Sequence, residues 1–186
     1  RRQRQMCIRD SLYTVAIRET ARTDYRVVGA LQSLHVAPED PAGLVKTLSQ
    51  QSVKIVSLTV TEKGYCHDPA TGALNVDHPD IRHDLANPEN PRSALGFLLA
   101  GLAARKRLGV APFTVLTCDN LPANGHTLAG VMKQYTELVR KDLVGYITQE
   151  VAFPSTMVDR IVPATTDADR VLVEQALGVR DAWPIM

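Results

Sequence analysis

The chain has 186 residues and a formal net charge of +1, with 45 % hydrophobic and 22 % charged residues, the usage of an ordinary globular domain and not of a disordered or collagen-like chain. A charge so near zero, with one Trp, five Tyr and three Phe, supplies neither the counterion release nor the stacking platforms that nucleic-acid binding uses, so no nucleic-acid partner is expected. No apolar run reaches the roughly 18–20 residues of a membrane-spanning helix and no signal peptide opens the sequence, which predicts a soluble, cytoplasmic protein without a membrane partner.

Arg1, Arg2, Arg4 and Arg9 are interspersed with Gln3 and Gln5 without any hydrophobic period, and residues 1–11 read as a non-native or disordered leader. Leu12–Arg18 and Arg26–Val36 alternate apolar and polar residues around the polar stretch Glu19–Asp24, which predicts a β-hairpin. Pro38-Glu39-Asp40-Pro41 carries turn and helix-start chemistry, and Ala42, Leu44, Val45 and Leu48 then share one face of a short helix. Val53–Val60 is rich in β-branched residues and apolar on both faces toward its end, the pattern of a buried parallel strand.

Gly64–Asn90 is polar, holds His67, His78 and His83, and reads as a long excursion with at most one helical turn near Asp80–Leu85; excursions of this length are often functional. A helix is predicted over Arg92–Leu108, burying Leu95, Leu98, Leu99 and Leu102 and stopped by Gly109. A second buried strand, Phe113–Cys118, ends at Asp119-Asn120. Helical period follows over Gly125–Arg140 through Leu128, Val131, Met132, Tyr135 and Leu138, then over Asp142–Val151, and lastly over Asp167–Leu177 between a Thr166 cap and Gly178. Strands alternating with helix-length crossovers indicate an α/β fold on a mostly parallel sheet with flanking helices.

Ligands of such folds bind beyond the carboxyl ends of the strands, which directs attention to Thr61-Glu62-Lys63 and to Asp119-Asn120. Each cluster has a bland reading: Asx residues before Pro122 suit a helix start, and Glu62-Lys63 suits a solvated ion pair. The functional reading uses the Asn120 amide as a fixed donor toward an oxygen that gains negative charge. Asp159 and Arg160 interrupt the apolar run Met157–Ile161, where burial would be costly without a partner or a polar ligand.

Cys7, Cys66 and Cys118 are odd in number and far apart, which argues against a disulfide framework and fits a reducing compartment. Cys66, His67, His78 and His83 fit no common zinc spacing, and no metal is expected. Neither a Gly-x-Gly-x-x-Gly turn nor a Gly-x-x-x-x-Gly-Lys-Ser/Thr loop occurs in the chain.

Three blocks stand in order: Ser57-Leu58-Thr59-Val60-Thr61-Glu62-Lys63-Gly64-Tyr65, Cys118-Asp119-Asn120-Leu121-Pro122-Ala123-Asn124-Gly125, and Phe153-Pro154-Ser155-Thr156-Met157-Val158-Asp159-Arg160-Ile161-Val162-Pro163. Together they resemble the long-chain mannitol dehydrogenase family, which includes fructuronate and tagaturonate reductases. The resemblance implies a Rossmann-type amino-terminal domain, a helical carboxyl-terminal domain, and hydride transfer between NAD or NADP and a polyol or hexuronate in the cleft between them, without a metal. By motif, Asn120 matches an asparagine that donates to the reacting oxygen, and Asp159 an acid that holds substrate hydroxyls. Thr61, Glu62, Lys63 and Asp119 match cofactor-side positions.

The family's glycine-rich phosphate loop would lie before residue 1 and its acid/base lysine after Met186. The resemblance therefore implies residues 12–180 as a partial Rossmann-type domain, 181–186 as the start of a hinge, and a fragment inactive without the rest of a monomeric parent. A noncatalytic nucleotide- or sugar-binding module with the same sheet is the alternative.

Overall fold

The structure is a computed structural model that describes residues 12–60, 62–158, 162–181 and 184–185. The expected leader 1–11, Thr61, Asp159 and, within the hinge 181–186, Ala182, Trp183 and Met186 lie outside the described residues. Two units are distinguished, residues 35–158 and the combination of 1–34 with 159–186.

In the second of these, β1 (Tyr13–Arg18) and β2 (Thr23–Val28) form the expected antiparallel hairpin, in register from Tyr13 opposite Val28 to Arg18 opposite Thr23. The second strand stops eight residues short of the sequence pattern, whose later apolar members Leu31, Leu34 and Val36 are exposed. A last helix, here α6 (Asp167–Leu177), begins and ends where the cap residues predict. Thr166 and Asp169 form a capping box, and Gly178 takes the left-handed conformation at φ 69° that terminates the helix. Ala16 and Val173 form a small apolar contact, and Arg18 pairs with Asp169 beside it.

The larger unit is α/β. Asp40 caps α1 (Pro41–Leu48) by accepting from Gly43 N at 2.8 Å. After α1 comes β3 (Ile55–Leu58), and the crossover through α2 (Pro79–Ala86) and α3 (Ala94–Arg107) returns to β4 (Thr114–Thr117). β3 and β4 pair in parallel, Ile55 opposite Thr114 through Leu58 opposite Thr117. The chain then forms α4 (Asn124–Val139), a 3-10 turn over Lys141–Leu143, and α5 (Val144–Gln149). None of the described helices is long and apolar enough to cross a membrane.

The core gathers the expected face of α3 with Phe113, Val115, Leu128, Val131, Met132 and Tyr135. Leu138, expected on the same face of α4, is instead 54 % exposed because it lies in the last turn, beyond the packed part of the helix. Arg105 is buried and its charge is met by carbonyls, those of Ala111 at 2.6 Å, Leu48 at 3.1 Å and Gln50 at 2.7 Å.

Two further expectations need correction. β3 is parallel as predicted but not buried on both faces, since Ile55 is 59 % exposed and β4 is its only strand partner among the described residues. The polar excursion contains an eight-residue helix, α2, where one turn was expected. Its inward residues are Ile81 and the carboxylate Asp84, so half of its buried face is charged and hydropathy does not reveal it.

Candidate active site

Parallel pairing brings the carboxyl ends of β3 and β4 side by side, and Cys118 N extends the ladder by donating to Leu58 O at 2.8 Å. Beyond β3 the chain enters a 3-10 turn over Glu62–Tyr65, and beyond β4 it enters Asp119-Asn120. The other edge of β4 is occupied by segment 151–156: Val115 N donates to Ala152 O at 3.0 Å, and the Thr156 hydroxyl donates to Thr117 O. The order 115 to 152 and 117 to 156 means that this segment runs in the direction of β4. All three motif blocks therefore issue from the same end of the sheet.

At that end Asp119 points inward. Its Oδ2 accepts from the hydroxyl of the fully buried Tyr65, and its Oδ1 accepts from Leu121 N at 3.0 Å and Asn124 Nδ2 at 3.2 Å. Both carboxylate oxygens are thus used within the chain. Asn120 is exposed, and its side chain makes no hydrogen bond among the described residues, leaving its amide available to a ligand. The helix does not start on the Asx pair as a cap would require: α4 begins at Asn124, after Ala123 in the left-handed region at φ 50°, without a side-chain cap.

Asn124 is fully buried and bonded throughout. Nδ2 donates to Asp119 O at 3.2 Å, Asp119 Oδ1 at 3.2 Å and Thr156 O at 3.1 Å, while Oδ1 accepts from Gly125 N at 2.8 Å and Thr156 N at 3.0 Å. Gly125 permits the approach of segment 151–156, since a Cβ there would stand 2.4 Å from Phe153 O and 2.6 Å from Pro154 C.

Of the residues expected from sequence, the structure brings together the β3 end bearing Glu62 and Lys63 and the β4 end bearing Asp119 and Asn120. Thr61 and Asp159 fall outside the described residues, although Thr156, which precedes Asp159 by three positions, is tied to the β4 end. Met157, at the head of the apolar run around Asp159, is 89 % exposed, so that run does not begin as core. Tyr65 and Asn124 belong to the quoted blocks, but their spacing alone did not assign them a role. The signal for Asn124 is a polar residue directly before a glycine that admits a neighbouring backbone.

The excursion's titratable residues serve a different end. The Cys66 thiol is pushed up to about 11 by burial, with Asp80 and Asp84 adding to the effect, and it lies 3.6 Å from His78 Nδ1. Among the described residues no group of three or more His, Cys, Asp or Glu is placed to hold a metal.

The sequence matches the mannitol dehydrogenase Rossmann domain over residues 3–186. The chain belongs to the mannitol dehydrogenase family. The mannitol 2-dehydrogenase of Cereibacter sphaeroides is 43 % identical over 185 residues, covering 100 % of this chain and 38 % of that protein. The uncharacterized oxidoreductase YeiQ of Escherichia coli K12 is 45 % identical over 182 residues, covering 97 % of this chain and 37 % of that protein.

Among solved structures, a Pseudomonas fluorescens mannitol 2-dehydrogenase in ternary complex with NAD and D-mannitol superposes with a TM-score of 0.93 at 36 % identity, over 99 % of this chain and 38 % of that one. A substrate-free D-sorbitol dehydrogenase gives 0.92 at 32 % identity, over 99 % and 39 %. The fold is accordingly the Rossmann-type domain of this family, and the chain spans somewhat over a third of the length of these relatives.

Proposed function

We propose that this chain forms the cofactor-side part of an NAD-dependent oxidoreductase acting on a polyol or a sugar acid, of the mannitol to fructose or fructuronate to mannonate type. The observation that carries the reading is the exposed Asn120 amide, unbonded among the described residues, at the shared carboxyl end of β3, β4 and segment 151–156, on a fold shared with an enzyme solved with NAD and D-mannitol.

The residues present suit one end of the cofactor. The hydrogen-bonding groups of Thr61, Glu62 and Lys63 would border its nicotinamide ribose, and Asp119 would shape the neighbouring strand end through its backbone, its carboxylate being taken up internally. NAD, when bound, supplies the acceptor for a hydride. Asn120 donates to the oxygen of the reacting carbon and stabilises it as the hydroxyl proton leaves. Asp159 accepts from neighbouring substrate hydroxyls and fixes the reacting carbon. The proton goes to a lysine that the family resemblance places beyond Met186, in a parent read as a monomeric cytoplasmic enzyme.

The test is to express the full-length protein and measure NAD- and NADP-linked turnover on D-mannitol, D-sorbitol, D-fructose and D-fructuronate. NAD-linked turnover of at least one of them is expected. No turnover of any, with either nucleotide, overturns the reading.

A further inference from the structure

We propose that Asn124, backed by Tyr65 and Asp119, is the positioning residue that sets Asn120 against the segment leading to Asp159; this rests on the role given to Asn120 above. Among the described residues the Asn120 side chain has no hydrogen-bond partner, so its placement depends on its backbone. That backbone is gripped on both sides: Asp119 O, the carbonyl directly before it, accepts from Asn124 Nδ2 at 3.2 Å, and Leu121 N, directly after it, donates to Asp119 Oδ1 at 3.0 Å. The Tyr65 hydroxyl then holds Asp119 Oδ2 from the β3 side.

The same Asn124 amide faces a segment 32 positions away. Its donation to Thr156 O at 3.1 Å and acceptance from Thr156 N at 3.0 Å reproduce the two-bond pairing of one peptide with another. Only one orientation of the amide serves: reversing it would set the NH2 against the N–H groups of Gly125 and Thr156 and the oxygen against two carbonyls and a carboxylate. At the start of a helix, where a polar side chain usually meets solvent, Asn124 is instead fully buried. It spends its bonds mainly on the two loops that carry Asn120 and Asp159.

In the full-length enzyme with NAD and D-mannitol, Asn124→Ala and Asn124→Asp are compared with Tyr65→Phe, a milder change that removes one hydroxyl, and with Val131→Ala. The last trims the core on the same helix, seven positions along the chain from Asn124. Displacing a reacting group by about 1 Å costs up to about 100-fold in rate. Both Asn124 variants are expected to lower kcat per folded molecule by about 10- to 100-fold, with KM for NAD changed less than about threefold and a larger isotope effect on D-mannitol deuterated at the oxidised carbon. Tyr65→Phe should give about a threefold to tenfold loss of kcat, which keeps the test alive if the Asn124 variants fail to fold.

Val131→Ala should lose stability and keep kcat. Unchanged kcat in the Asn124 and Tyr65 variants, or an equal loss in Val131→Ala, overturns the proposal. If the unmutated enzyme turns over none of the substrates, the functional reading fails separately. Amide exchange at residues 118–121 then decides the positioning role: faster in Asn124→Ala than in Val131→Ala supports it, equal rates overturn it.

Discussion

Asp84 should be the most sensitive polar residue of the larger unit. Fully buried, its carboxylate accepts from Arg92 N at 2.7 Å, Ser93 N at 2.9 Å and Ser93 Oγ at 2.6 Å, with His83 Nδ1 at 3.1 Å. Ser93 in turn caps α3 by accepting from Gly96 N at 2.9 Å. Replacing Asp84 with Ala strands the N–H and hydroxyl of Ser93, which is 3 % exposed, whereas the N–H of the exposed Arg92 can turn to water.

Two hydrogen bonds to a charged group at about 1.5–3 kcal/mol each, less the relief of not desolvating the carboxylate, leave a loss of about 3 kcal/mol. For a chain of this size that is about 6–12 °C in Tm. Urea unfolding followed by circular dichroism measures it. Ser93→Ala alone should cost about 1 kcal/mol as a lost cap, and the double variant clearly less than the sum, because the stranded hydroxyl is gone. A loss below about 1 kcal/mol in Asp84→Ala, or strict additivity with Ser93→Ala, would refute the argument.

Four further outcomes follow from the same geometry. In the full-length enzyme Asn120→Ala should lower kcat by about 100- to 1000-fold, the usual loss for one oxyanion donor, and turnover near that of the parent would remove Asn120 from the reaction. Gly125→Ala should cost about 2 kcal/mol, because its Cβ would meet backbone atoms of residues 153 and 154 that cannot swing aside; an unshifted thermal transition would contradict this. With its thiol pushed up to about 11, Cys66 should resist alkylation at pH 8 in the folded chain and react once urea unfolds it, which peptide mass spectrometry reads directly. The Asp169 carboxyl is held down at about 2 by the Thr166 backbone N–H, then by the Thr166 hydroxyl and Arg18. Its contribution to stability is therefore complete above the unfolded value of about 3.9 and is lost as pH falls from about 4 through 2. Helicity followed across that window should decline in the parent and lose this component in Asp169→Asn, and identical acid transitions would exclude the assignment.

Elements whose buried side is apolar are legible in the sequence. The α3 face Leu95, Leu98, Leu99 and Leu102 and the α6 boundaries Thr166 and Gly178 stand where period and cap chemistry put them. Legibility fails where burial is polar or partners are distant. α2 buries Asp84 beside Ile81, and a buried carboxylate looks like a solvent-facing one until Arg92 and Ser93 arrive to bond it. β3 shows the converse: its apolar composition predicts two covered faces, but burial depends on neighbours that composition does not supply, and Ile55 remains exposed.

The same limit applies to the site. A polar pair after a strand has one appearance in sequence whether it caps a helix or faces a ligand, and the distinction lies in where its atoms find partners. Asp119 turns to Tyr65, Leu121 and Asn124 and spends its acceptors inside the fold, while Asn120, its immediate neighbour, is exposed with its amide unbonded among the described residues. A capping pair would have bonded the first N–H groups of the helix, but α4 starts at Asn124 with no side-chain cap. The two bonds that tie this arrangement to segment 151–156 join Asn124 to Thr156, a separation over which no local pattern carries information. One residue of the pair is thus held and the other presented; in the role proposed for Asn120, that holding would let its amide donate without reorganising when charge develops on its partner oxygen.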